Sequence, residues 1–280
     1  MITINTIIRI TMLTAICILW TSAYTFAPFN ATAQSQTAQS QLAQTNFDCT
    51  TVSEIPQIEC EALVAIYNGT GGPNWVDNAD WLQTTTPCIW HGVTCSNGHV
   101  TELDLDNDRS GNNLTGVLPT AIGDLGSLTL LSLAKNELTD IPAKLGDIST
   151  LAQLYVWENQ LSSIPPEIGN LSNLTVFDLA NNQLSSIPPE VGNLSNLIVF
   201  DLANNQLSSI PPEIGNLSNL TTLSLYENQL RSIPPEIGNL PNLTTLSLSA
   251  NQLSSIPSEI GNLSNLEGLY LSANQLSSIP

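Results

Sequence analysis

The sequence predicts an α/β solenoid, with a parallel sheet on the concave side and short helical or 3-10 segments on the convex side. A disulfide-bonded cap closes its N-terminal end. Three observations carry this. Asn136, Asn159, Asn182, Asn205, Asn228, Asn251 and Asn274 fall at equal steps of 23, with Asn113 one further step upstream. Before each stands an alternating Leu-x-Leu segment, and after each from Asn136 to Asn251 an Ile-Pro step leading to Ile-Gly or its equivalent. Four cysteines and three tryptophans gather ahead of the array. A fixed period of this length is the signature of a stacked-repeat architecture.

Each element follows from its residues. In Leu-x-Leu the period is two, so the leucines enter the core and their neighbours face out, as in a short strand. The Asn then enters the turn, where its amide can bond backbone groups left unpaired by the bend, and stacking makes a ladder of such side chains. Ile164-Pro165-Pro166 and its copies open the return segment, because proline can begin a helical turn but cannot continue a strand. The following Glu-Ile-Gly gives a short helical or 3-10 piece. One repeat cannot bury its own core, so neighbours must stack. Eight strands at about 4.8 Å spacing make a sheet roughly 35–40 Å long.

The motif around each Asn, L-x-x-L-x-L-x-x-N-x-L-x-x-I-P, is identified as the leucine-rich repeat, with Phe177 and Phe200 in one leucine slot. Residues 47–99, continuing into the first repeat, resemble the N-terminal cap of leucine-rich repeat proteins, the type also found on plant receptor-like kinase ectodomains. Glu61-Ala62-Leu63, Asn74-Trp75, Trp81 and Cys88-x-Trp90-x-Gly92-Val93-x-Cys95 carry the likeness, with Asn113-Leu114-Thr115-Gly116-x-x-Pro119 in the first repeat. Later repeats read L-S-S-I-P without that glycine. The resemblance implies a horseshoe-shaped recognition scaffold at the cell surface or outside it, and it names no ligand. No kinase signature is present.

The domain order expected is a signal peptide (1–33), a flexible Gln/Ser/Ala-rich linker (34–46), the cap (47–99) and about eight repeats of 23 residues (100–280), the last incomplete. Residues 10–26 are apolar after Arg9, and Ala31-Thr32-Ala33 offers a small-x-small cleavage site. A membrane anchor is the alternative, but Thr, Ser and Tyr thin the run below a convincing span, and Ile16 before Cys17 argues against a lipoprotein. In the cap, Gln57–Tyr67 sets Ile58, Leu63, Ile66 and Tyr67 at helical spacing, with Gly69 or Gly71-Gly72 ending the helix. Four cysteines allow three connectivities, and the nearest-neighbour choice is Cys49–Cys60 with Cys88–Cys95. The chain stops at Pro280 with no capping pattern, which points to a partial product and an edge that frays or self-associates.

Composition narrows the function. Lys and Arg total 5 against 24 Asp and Glu, a net charge of −19 that becomes −20 when Arg9 leaves with the signal. Nucleic acid and anionic membrane surfaces need basic clusters this chain cannot build. Histidines are two, His91 and His99, read as surface loop residues. Cys88-x2-His91-x3-Cys95-x3-His99 matches no ordinary zinc spacing, and both cysteines sit at cap-disulfide positions, so no metal, cofactor or catalysis is expected. Asn-x-Ser/Thr triplets such as Asn173-Leu174-Thr175 arise from the repeat consensus.

Binding is therefore sought on the outward strand positions. One column runs Asp104, Ser132, Tyr155, Asp178, Asp201, Ser224, Ser247, Tyr270, and the next Asp106, Ala134, Trp157, Ala180, Ala203, Tyr226, Ser249, Ser272. Most are small, but Tyr155, Trp157, Glu158, Asp178, Asp201, Tyr226 and Glu227 group together. Aromatics beside carboxylates suit a protein ligand with a basic surface, with carbohydrate an alternative, and scatter within duplicated repeats weighs equally. The expected role is a non-catalytic, secreted or cell-surface protein-recognition module. A fragment of a longer receptor or sensor, or a structural or adhesive surface protein, are the alternatives.

Overall fold

The computed structural model describes residues 47–107 and 110–280. The signal and linker segments expected over 1–46 lie outside the described residues. From residue 47 the chain forms a capped solenoid around one continuous core.

The parallel sheet is built from β2 (His99–Asp104), β4 (Leu130–Ser132), β6 (Gln153–Tyr155), β7 (Val176–Asp178), β8 (Val199–Asp201), β9 (Thr222–Ser224), β10 (Thr245–Ser247) and β11 (Gly268–Tyr270), in that spatial order. β1 (Val93–Ser96) pairs antiparallel with β2 and closes the cap side. The strands are in step. Leu131 pairs Leu154, Leu154 pairs Phe177, and Phe177 pairs Phe200, all fully buried. The two phenylalanines stack with ring centroids 5.4 Å apart. Each Ile-Pro return leads into a 3-10 turn such as Pro189–Asn193, so the convex segments are 3-10 throughout the repeats rather than α-helical.

The asparagine ladder forms as its spacing requires. Asn182 Oδ1 accepts the N–H of Leu161 at 3.0 Å, and its Nδ2 donates to the carbonyls of Val156 and Leu179 at 3.0 and 3.1 Å. One side chain thus ties two repeats. At the first step the structure corrects the sequence reading. Asn112, fully buried, is the residue whose amide bonds the backbone of Asp77, while Asn113 occupies a left-handed turn at φ 59°. The register explains this: Leu103 pairs Leu131 across 28 positions, whereas Leu131 pairs Leu154 across 23, so the first repeat is longer. A second, two-stranded sheet of β3 (Thr115–Val117) and β5 (Glu137–Asp140) also forms at the first two repeats, which the period did not foretell.

The cap contains α1 (Gln57–Gly69) and a train of aromatic rings in contact, mostly edge to face: Phe47–Trp90, Trp90–Trp81, Trp81–Trp75 and Trp75–Tyr67, centroids 5.0–5.3 Å apart. Cys49 pairs Cys60 and Cys88 pairs Cys95. Two side chains depart from the sequence reading. Ile58 is exposed, and its neighbour Glu59 is buried instead, accepting the Val100 N–H at 2.8 Å and meeting His99 Nδ1 at 2.6 Å. His99 is therefore part of the joint between α1 and β2, and His91 sits 3.3 Å from Asp77 with its backbone carbonyl accepting the Trp81 indole N–H. Neither histidine is a plain loop residue.

Candidate functional site

The outward columns read from the sequence are in register on the sheet. Asp104 pairs Ser132, Ser132 pairs Tyr155, Tyr155 pairs Asp178, and Asp178 pairs Asp201. The alternation that buries Leu154, Phe177 and Phe200 therefore sets these side chains on the opposite face. Tyr155, Trp157, Asp178 and Asp201 are half-buried, and Glu158, Tyr226 and Glu227 are exposed. The acids at the head of the Asn turn share one backbone conformation with their counterparts in other repeats. Glu158 and Glu227 stand at φ 51°, a left-handed place filled by Lys135, Asn181, Asn204 and Ala250 in other repeats.

A concavity of about 530 Å³ opens on this face, walled by Asp104, Asp106, Tyr155, Trp157 and Asp178 above Ser132. It brings Tyr155, Trp157 and Asp178 together and adds Asp104, Asp106, Ser132 and Gln153, which the grouping by sequence omitted although both acids stood in its columns. Tyr226 and Glu227 lie beyond it, joined by a 2.7 Å hydrogen bond from the Tyr226 hydroxyl. That bond and the Glu227 charge raise the Tyr226 pKa. The lysine of the neighbouring repeat matters more than its column suggested. Lys135 Nζ lies 5.1 Å from the Trp157 ring centroid and 3.8 Å from Glu158.

Each acid in the column caps its own turn. Asp178 Oδ1 accepts the Ala180 N–H at 3.0 Å, and Asp201 Oδ1 accepts that of Ala203 at 2.9 Å. Burial pushes the Asp178 carboxyl up to about 6, the Ala180 hydrogen bond pulls it back, and the Asp201 charge adds to the rise. Asp104 is also raised, chiefly by burial. Among the described residues no three His, Cys, Asp or Glu side chains converge as a metal ligand set.

A second, larger groove of about 870 Å³ runs along the sheet edge where the strands begin. Asn173, Asn196, Asn219, Asn242 and Asn265 line it, each donating from Nδ2 to a carbonyl of the preceding repeat at 2.7–2.8 Å. Thr175, Thr221 and Thr244 alternate beside them, bonding preceding carbonyls at 2.9–3.1 Å. In the sequence this second ladder shows only as the Asn-Leu step of each repeat, with Asn-x-Thr triplets that the repeat consensus produces.

Comparison with known proteins agrees with this architecture. Residues 59–96 match the leucine rich repeat N-terminal domain, residues 149–195 the two-copy leucine rich repeats, and residues 190–279 the leucine-rich repeat region. The chain is a leucine-rich repeat solenoid with an N-terminal cap of that class. It is 39% identical over 80 residues to the probable inactive receptor kinase RLK902 of Arabidopsis thaliana, a match covering 28% of this chain and 11% of that protein. Among solved structures, the Arabidopsis receptor kinase HAESA in complex with the peptide hormone IDA and the co-receptor SERK1 matches with TM-score 0.61 and 30% identity, covering 79% of this chain and 42% of that one. A plant ice-binding protein matches with TM-score 0.66 and 26% identity, covering 79% and 73%. The match thus spans about a tenth of the curated receptor kinase's length.

Proposed function

We propose that the chain is a non-catalytic recognition module, secreted or displayed at the cell surface, that binds a protein or peptide partner on its concave face. The observation that supports it is the in-register grouping of Tyr155, Trp157, Asp178 and Asp201 on one sheet face, with Tyr226 and Glu227 alongside. Aromatic side chains on a rigid scaffold make interface anchors at small entropic cost, and carboxylates around them select a basic surface. The likeness to a receptor ectodomain whose structure holds a peptide hormone supports the same reading. A displayed peptide library selected on the full chain tests it. Binders should lose at least tenfold in affinity to Trp157→Ala and Tyr226→Ala, and binders indifferent to both changes would move the binding face elsewhere.

A second reading rests on the edge groove and the ice-binding neighbour. Five asparagines and three threonines, held rigid by inter-repeat hydrogen bonds, present amides, hydroxyls and methyls at the strand spacing. A fixed lattice of such groups suits an ordered water surface. Under this reading the chain inhibits ice recrystallisation, and Asn219→Leu with Thr221→Leu abolishes the effect without unfolding. Absence of any inhibition by the wild-type chain would refute it.

A further inference from the structure

The concave cavity has a length as well as a chemistry. β2, β4, β6 and β7 are consecutive neighbours, so Asp104 and Asp178 are three strand steps apart, about 14 Å. Tyr155 and Trp157 lie between them, on β6 and just after it. Each acidic end is double. Asp106 stands beside Asp104, its carboxylate accepting the Ser132 hydroxyl at 3.0 Å, and Asp201 pairs Asp178 on the adjoining strand.

Asp178 and Asp201 cap their turns, but the strand register does not depend on a charge at these positions. The same column holds Ser224 on β9 and Ser247 on β10, in unchanged register with their neighbours. Asp106 is buried, Asp178 and Asp201 are half-buried and Asp104 is exposed; carboxylates gathered this way repel one another and cost stability unless a cation joins them. The chain itself shows what the aromatic floor accepts, since the Lys135 ammonium already lies over Trp157 and near Glu158. A metal ion is the wrong guest, because among the described residues no ligand set converges on a point. An elongated organic polycation fits the shape. In an extended peptide, residues i and i+4 project to the same side about 14 Å apart, with i+2 midway.

We propose that this cavity binds an extended peptide segment carrying two basic residues four positions apart. One is held by Asp104 and Asp106, the other by Asp178 and Asp201, and the side chain midway rests on Tyr155 and Trp157. The segment crosses the strands, running along the solenoid axis. This inference rests on the recognition reading above and narrows it to a spacing.

Three capped nine-residue peptides on a Gly/Ser background test it against the full chain. One carries Arg at positions 3 and 7 with Leu at 5; a second has Arg at 3 and 5 with Leu at 7; a third replaces both arginines of the first by citrulline, the uncharged analogue. Binding is read by calorimetry and by the Trp157 indole N–H resonance. The first peptide should bind at least tenfold more tightly than either comparator, and Asp104→Asn and Asp178→Asn should each weaken it about tenfold while leaving core resonances in place. Binding of the comparators within twofold of the first, or no binding of the first to the wild-type chain, overturns the proposal, whether or not the variants fold. Library binders that depend on Trp157 and Tyr226 but carry no such basic pair would leave the recognition reading standing and remove this one.

Discussion

Asn182 Nδ2 donates to the carbonyl oxygen of Val156, 3.0 Å away in the preceding repeat. The same amide also holds Leu161 N–H and Leu179 C=O, so removing it strands several buried backbone groups at once. Each unpaired group costs about 1–3 kcal/mol. Asn182→Ala should therefore destabilise the chain by about 2–4 kcal/mol in urea titration, while Gln183→Ala, next door and exposed, should change it by less than about 0.5 kcal/mol. Equal effects would mean that the ladder is ornamental.

The joint between cap and solenoid depends on one buried acid. Glu59 bridges α1 to β2 through the Val100 N–H and the His99 ring. Glu59→Ala leaves that N–H without its acceptor in an apolar setting, and a loss of about 2–4 kcal/mol is expected. Hydrogen exchange should locate the loss at Val100 and its neighbours. His99→Ala, at a half-exposed ring, should cost less than Glu59→Ala; a larger cost would assign the joint to the histidine.

Much of this was legible in the sequence because the repeat writes its physics at fixed positions. The inward leucines, the Asn ladder and the register of the columns follow from period and spacing, whereas the pairing of neighbouring cysteines is a choice among three connectivities that the structure matches. What escaped was aperiodic. The longer first repeat moved the ladder to Asn112, since an insertion has no copy to reveal it. Glu59 was hidden because its burial depends on Val100 and His99, about 40 residues away. The cavity at Asp104 and Asp106 was missed for a related reason: the acids stood in the columns, but the curvature and packing that enclose them with Trp157 are tertiary. Lys135 likewise belonged to a column of mixed residues, and only the fold set it over the indole.

The convex turns are packed so closely that one glycine per repeat has a steric reason. A Cβ on Gly192 would stand 2.6 Å from the Glu213 carbonyl oxygen of the next repeat, a backbone atom that cannot step aside alone. Gly261 holds the same consensus place with no atom of the described residues within 4 Å. Gly192→Ala should thus cost about 1–3 kcal/mol by forcing two turns apart, and Gly261→Ala should be neutral or slightly stabilising. Comparison of their urea midpoints checks both.

Asp178 carries an electrostatic cost on the concave face. Its carboxyl titrates at about 6 rather than at the ordinary 3.8, first because it is partly buried and then because Asp201 faces it from β8, with Tyr155 beside it on β6. Between those two pH values the folded chain holds a proton that the unfolded chain has released. Stability contributed at this site is therefore full below pH 4 and declines as pH rises through about 6, by at most about 3 kcal/mol, less whatever solvent screens. Asn in its place keeps an oxygen for the Ala180 N–H and removes the charge. Asp178→Asn should accordingly leave stability near pH 4 unchanged within about 0.5 kcal/mol and raise it at pH 7.5 by about 1–2 kcal/mol. The decisive quantity is the difference between variant and wild type at the two pH values, because every other titrating group cancels in it. A variant less stable than wild type at pH 7.5 would show that the carboxylate stabilises the fold, and would remove the reason for assigning it to a partner.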